Sequence, residues 1–212
     1  MNYHDTRFIF DKSRTKVWKA INEYLQKYIT NTSKVLDIGC GYGDFINGIV
    51  ASEKYAIDLN PEMKKHIDIE NVSFHDQSVL APFNSVSNKV DVIFASNLFE
   101  HFNDEELIIL IENIKNKLIS GGKLILIQPN YYYAYKEYWD DYTHKKAFSH
   151  NSINDFLIAN NFRIINLEHK FIPFSLKSKL PKSYFLTKIY LKTNFRIFAK
   201  QMLVVAKLNE LN

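Results

Sequence analysis

The chain is expected to fold as an α/β protein with a mostly parallel sheet, and three observations carry that expectation. Short apolar runs alternate with helical stretches along most of its length, and a glycine-rich turn directly follows the first run. Its 212 residues suit one such domain and would crowd two. Apolar residues at 46% and charged residues at 24% are the proportions of a globular protein.

The elements follow in order. Residues 16–28 (KVWKAINEYLQKY) set Val17, Ala20, Ile21, Tyr24, Leu25 and Tyr28 on one stripe, which predicts an amphipathic helix within a lead-in segment, 1–32. The first strand is expected at 34–38, then a helix from near Asp44, then strands at 55–59, 71–74, 90–96 and 123–128. Between the last two, Asn103 to Leu118 reads as a helix with Asn103 or Asp104 as N-cap and Glu105 and Glu106 in its first turn, ended by Gly121 and Gly122. Ser149 or Asn151 opens another helix to about Asn160, and runs at 162–167 and 201–207 complete seven strands. Two stretches break the rhythm: 129–150, dense in Tyr and Trp, and the basic aromatic 171–200 before the last strand.

No run is long and apolar enough for a membrane span, and the start, MNYHDTRFIFDKSR, lacks the apolar stretch of a signal peptide. The lone Cys40 excludes an internal disulfide and a multi-cysteine metal site. Together these predict a single-domain protein of the cytoplasm.

The first strand runs into VLDIGCGYGDF, Val35 to Phe45. Glycines there permit positive φ and let a ligand approach bare backbone. A dinucleotide loop needs a third glycine at the sixth position, which here is Asp44, and Asp37 precedes the turn. A pyrophosphate would meet two carboxylates, whereas a ligand carrying an ammonium and a sulfonium suits them. Asp58 ends the second strand nineteen residues after Gly39, where a carboxylate can accept from ribose hydroxyls.

On these residues the chain resembles the class I S-adenosylmethionine-dependent methyltransferases of the methyltransferase 11/12/23 type, over about 33–167. The resemblance implies a Rossmann-like methyltransferase fold: a mostly parallel seven-stranded sheet with an antiparallel last strand and helices on both faces. It implies S-adenosylmethionine as cofactor, with S-adenosylhomocysteine as product. It gives Asp37, Gly39, Cys40, Gly41 and Gly43 to the methionine end, Asp58 and Leu59 to ribose and adenine, and Asp76 with Gln77 to the adenine amino group. Ser96 and Asn97 then lie near the cofactor, with Glu100 and His101 on the acceptor side.

Methyl transfer from a sulfonium is mainly a matter of alignment, helped by a base when the acceptor is a hydroxyl or amine. His101 is the first candidate base, with Glu100 beside it, and His144 the second. Tyr131, Tyr132, Tyr138 and Trp139 offer a wall for a flat or sugar-like acceptor, whose hydroxyls Asp140 and Asp141 can bind. No metal is expected, because Ser96, Asn97 and Asn130 stand where a metal-dependent O-methyltransferase would carry acids.

Phe171 to Lys207 holds seven Lys, one Arg and no acid. Contact with an anionic membrane surface, a phosphorylated acceptor or nucleic acid competes with plain packing of a helix whose lysines stay in water. Nucleic acid is disfavoured, since no RNA-binding signature and no NPPY-type motif is present. The runs YWDDYTH, AFSHNSI and PFSLKSKLP also resemble small methyltransferases of glycan and glycolipid biosynthesis, which implies a saccharide or lipid-linked saccharide acceptor.

Overall fold

A computed structural model of the chain describes Asp11 and residues 13–173, 182–193 and 196–210. Strands β1 (Lys34–Ile38), β2 (Glu53–Asp58), β3 (Ser73–Asp76), β4 (Val90–Ser96), β5 (Leu118–Pro129), β6 (Phe162–Pro173) and β7 (Ala199–Leu208) form one sheet in the order β3-β2-β1-β4-β5-β7-β6. Only β7 runs antiparallel to its neighbours.

Alternation along the strands sends side chains to two apolar layers. Leu36, Ile38, Leu124 and Leu126 face the layer closed by α2 (Asp104–Lys117) and by α4 (His150–Ala159), which follows the short α3 (Tyr131–Ala134). Val35, Ile125 and Ile127 face the layer closed by α1 (Arg14–Leu25). Asn103 and Ser149 cap α2 and α4 through reciprocal capping boxes with Glu106 and Ser152.

Two places differ most from the sequence expectation, and β6 also runs on to Pro173, past the expected 162–167. The helix expected from near Asp44 is a run of turns from Gly41 to Gly48. Asn47 N–H reaches Gly43 O, but the Asp44 carbonyl is taken by Asn22 Nδ2 at 2.9 Å, and the Asn47 side chain bonds His66 O and Asp68 N–H. Side chains thus satisfy groups that a propagating helix would need. The second place is the end of α2: the chain enters β5 at Leu118, opposite Val90, so Gly121 and Gly122 lie inside a strand with a register shift.

Four cations among the described residues of the basic stretch are paired within the chain. Lys182 pairs with Asp11, Lys188 with Glu23, Arg196 with Glu168 and Lys200 with Glu137. Its helix α5 (Tyr184–Lys192) packs on α1. Lys177, Lys179 and Phe195 lie outside the described residues. No helix among the described residues is long and apolar enough to cross a membrane.

Candidate active site

Strand order reverses between β1 and β4, and an open α/β sheet offers its ligand space outside the carboxyl ends of the strands at that point. A cavity of about 800 Å3 lies there. Gly39 to Gly41, Asp58, Leu59, Ser78 to Leu80, Ser96 to Leu98 and Pro129 form its floor, and Arg14, Trp18 and Ile21 of α1 cover one side.

At the glycine turn, Gly39 has φ +65°, and a Cβ there would sit 2.9 Å from Leu98 Cδ1. Asp37 is 2% exposed, and burial, followed by the charges of Asp58 and Asp44, pushes its pKa well above the usual carboxylate range. The Asp58 carboxylate is fixed by the N–H groups of Gly41 (2.8 Å) and Asn60 (2.9 Å), which leaves lone pairs for further donors. Asp44 differs from expectation, since Arg14 lies 2.8 Å from it and offsets its charge. Burial still raises the Asp44 pKa. The acidic character of the turn therefore rests on Asp37 and Asp58.

Other expected cofactor contacts divide. Leu59 and Cys40 line the cavity. Gly43 does not: its φ of +68° and a Cβ position 2.6 Å from Ile67 Cδ1 show that it serves the turn's packing. Asp76 is exposed beside Asp58 in register but outside the wall, which passes instead through Ser78, Val79 and Leu80. Gln77 turns away, donating to Pro82 O at 2.9 Å and accepting from Ser85 Oγ at 2.6 Å. Ser96 and Asn97 line the wall, Asn97 at φ +49° with Oδ1 accepting from Gln201 at 2.8 Å.

The far end is polar. The backbone N–H groups of Lys145 and Lys146 bond Glu100 O at 2.8 and 3.1 Å, which ties the aromatic segment to the turn after β4 and brings His144 beside His101, ring centroids 5.0 Å apart. Ligating atoms of Glu100, His101 and His144 all lie within 4.8 Å of one another. Glu100 is 1% exposed, neither carboxyl oxygen has a hydrogen-bond partner, and burial pushes its pKa up to about 8. Burial, then His144, lowers the pKa of His101, so its imidazole is neutral near pH 7. Asp141 is disfavoured as a charge by burial, but the Thr143 hydroxyl and N–H outweigh this and lower its pKa.

Asp140 and Asp141 line the cavity, whereas the rings expected as an acceptor wall do not. Tyr138 is fully buried, its hydroxyl donating to Lys146 O at 2.6 Å, and Tyr131 packs edge-on against it. Tyr132 and Trp139 are exposed outside the wall. These aromatics hold the segment in shape. Sequence reasoning missed Thr143, whose position between Asp141 and His144 was the available signal. It also missed Trp18 and Gln201, for which no local signal exists: α1 packing brings the first and the Pro129–Gln201 register the second.

The sequence profile of the methyltransferase domain family matches residues 10–167. No curated protein matches the chain. Among solved structures the fold is similar to an S-adenosylmethionine-dependent methyltransferase from Archaeoglobus fulgidus, at 23% identity and TM-score 0.65, covering 90% of this chain and 94% of that one. It is similar to the magnesium protoporphyrin IX methyltransferase of Synechocystis PCC 6803 with bound S-adenosylmethionine, at 14% identity and TM-score 0.60, covering 93% and 80%. It is similar also to the N-methyltransferase NodS of Bradyrhizobium japonicum WM9 in complex with S-adenosylhomocysteine, at 14% identity and TM-score 0.62, covering 99% and 94%.

Proposed function

Because the chain belongs to the methyltransferase domain family and is a class I S-adenosylmethionine-dependent methyltransferase, we propose that it methylates a hydroxyl of a small polar acceptor, a saccharide or lipid-linked saccharide. The observation that carries this is the composition of the far end of the cavity, where Glu137, Asp140, Asp141 and Thr143 supply hydrogen-bonding groups beside Phe102, and the rings of Tyr131, Tyr132, Tyr138 and Trp139 stay out of the wall. A hydroxyl-rich acceptor matches such a surface better than a flat apolar one.

The residues present fit the cofactor. Asp37 and Asp58 suit a cationic, phosphate-free nucleoside, and Trp18 Nε1–H, buried on the wall without a partner, is a donor waiting for an acceptor such as a carboxylate. We assign Asp58 to the ribose, Leu59 and Ser78 to Leu80 to the adenine side, and the turn from Gly39 to Gly41 with Asn97 to the methionine end. When bound, S-adenosylmethionine would supply a methyl on a sulfonium whose sulfur keeps the C–S electron pair and leaves as a neutral thioether, with no acid needed.

The chain's own contribution is alignment and removal of the acceptor's proton. Asp140 and Asp141 hold the acceptor, and the Glu100, His101 and His144 cluster takes up the proton, in its simplest form on Nε2 of His101 as the hydroxyl oxygen gains the methyl. A peripheral contact of α5 with a lipid-linked acceptor's membrane is supported by exposed Phe185, Leu186 and Ile189, and opposed by the internal pairing of the neighbouring cations. The test is transfer of labelled methyl to saccharide, lipid-linked saccharide, other small-molecule and RNA pools. Label confined to the first two is expected; label only in the others would refute the acceptor class.

A further inference from the structure

We infer that Glu100, His101 and His144 form a binding site for a divalent cation of the zinc class, facing the acceptor end of the cavity. The inference deepens the function proposed above and rests on its assignment of that end to the acceptor.

His144 Nδ1 lies 2.7 Å from Tyr138 O, and a carbonyl cannot donate, so Nδ1 carries the proton and Nε2 the lone pair. His101 Nδ1 faces Thr143 O at 3.3 Å and Thr143 Oγ1 at 3.0 Å. The Thr143 hydroxyl gives its own hydrogen to Asp141 Oδ1 at 2.7 Å, so it too must accept from His101. Both imidazoles are therefore locked with Nε2 as the ligating atom. An imidazole that donates its other N–H to a carbonyl or a carboxylate relay is the usual outer arrangement of a metal-bound histidine.

Glu100 completes the cluster with a carboxylate. Its side chain is buried and lines the cavity, and both of its oxygens lack a donor. A buried carboxylate without a counter-charge is costly, and a cation in contact with it removes that cost. Two imidazole nitrogens and one carboxylate are the donor set of open, three-ligand zinc and related sites, which leave positions for an oxygen ligand. One potential ligand atom from each residue, a ring nitrogen of each histidine and a carboxylate oxygen, lies within 4.8 Å of the other two, so side-chain shifts on the order of 1 Å bring the three groups to zinc bonding distances. The absence of acids at Ser96 and Asn130 does not bear on this site, whose ligands come from the turn after β4 and from His144. In the loaded site the acceptor's proton goes to water at the cavity mouth rather than onto His101, and Thr143 acts as a positioning residue.

The test uses the full chain, freed of metal with a chelator and titrated with Co2+ and then Zn2+, while S-adenosylhomocysteine binding is measured on the same samples by calorimetry. One equivalent of Co2+ with visible ligand-field bands, displaced by Zn2+, is expected. His101→Ala and His144→Ala should each abolish it, and Thr143→Val should weaken it about 10-fold or more while S-adenosylhomocysteine still binds. Absent or substoichiometric Co2+ binding alongside intact S-adenosylhomocysteine binding overturns the cation site and leaves the methyltransferase assignment standing. Co2+ binding unchanged in both histidine variants also overturns it. Co2+ binding without S-adenosylhomocysteine binding supports the cation site and sinks the assignment of the cavity to the cofactor.

Discussion

Asp58→Asn is the substitution that separates a structural loop from a cofactor site. The native carboxylate accepts the N–H groups of Gly41 and Asn60 on different oxygens, and its remaining lone pairs are assigned to the ribose hydroxyls. An amide of the same shape keeps one acceptor oxygen and turns an NH2 toward the other site. Two hydrogen bonds to a charged group, at about 1.5 kcal/mol each, give a loss of about 3 kcal/mol, or roughly 100-fold in Kd. Calorimetric titration with S-adenosylhomocysteine, run well below the melting transition because the turn itself is weakened, reads this directly. Asp76→Asn is the internal comparison: Asp76 lies outside the cavity wall, so its affinity should stay within about 3-fold of the native chain. An Asp58→Asn affinity equal to the native value, or equal losses in both variants, would refute the assignment of ribose to Asp58.

Arg14→Ala leaves Asp44 unpaired in a mostly buried position, at a cost of roughly 2 kcal/mol near neutral pH. Because burial raises the Asp44 pKa in the fold, its protonated form is favoured there, and stability is lost as pH rises from the unfolded pKa through the folded one. Denaturant melts should therefore show a larger deficit for Arg14→Ala at pH 7 than at pH 4, and equal deficits would contradict the pairing. Gly43→Ala introduces a Cβ 2.6 Å from Ile67 Cδ1 at φ +68°, and a loss of about 2 kcal/mol, seen as a melting point lower by about 4–8 °C, is expected. Tyr138→Phe removes the hydroxyl that caps Lys146 O. A destabilisation of about 1–2 kcal/mol is expected with little change in S-adenosylhomocysteine affinity, since the ring is outside the cavity.

The central strands were legible because each holds a short apolar run, and Val90–Ser96 has the same limits in sequence and structure, whereas β5 and β6 run to 12 residues each and past the runs that marked them. The cofactor turn was legible for a local reason as well: glycines between β1 and a carboxylate are a contiguous signal. Helix prediction failed after that turn because the competition comes from Asn22, a residue of α1 that is distant in sequence. The aromatic segment misled in a similar way. Tyr138 and Trp139 read as surface available to a ligand, yet the tertiary fold buries Tyr138 as a post whose carbonyl orients His144 and whose hydroxyl holds Lys146. The meeting of Glu100, His101 and His144 depends on Lys145 and Lys146 donating backbone N–H to Glu100 O, a contact with no sequence signature. Basic residues of 182–200 looked like a ligand-binding stripe because their partners Asp11, Glu23, Glu137 and Glu168 are scattered along the chain.

A crystal structure of the chain with S-adenosylhomocysteine tests the central claim most directly. The ribose is expected on Asp58, the amino-acid end between the turn Gly39 to Gly41 and Trp18, and the sulfur directed toward Glu100, His101 and His144. A ligand bound in the reverse direction, or outside the cavity between β1 and β4, would contradict it.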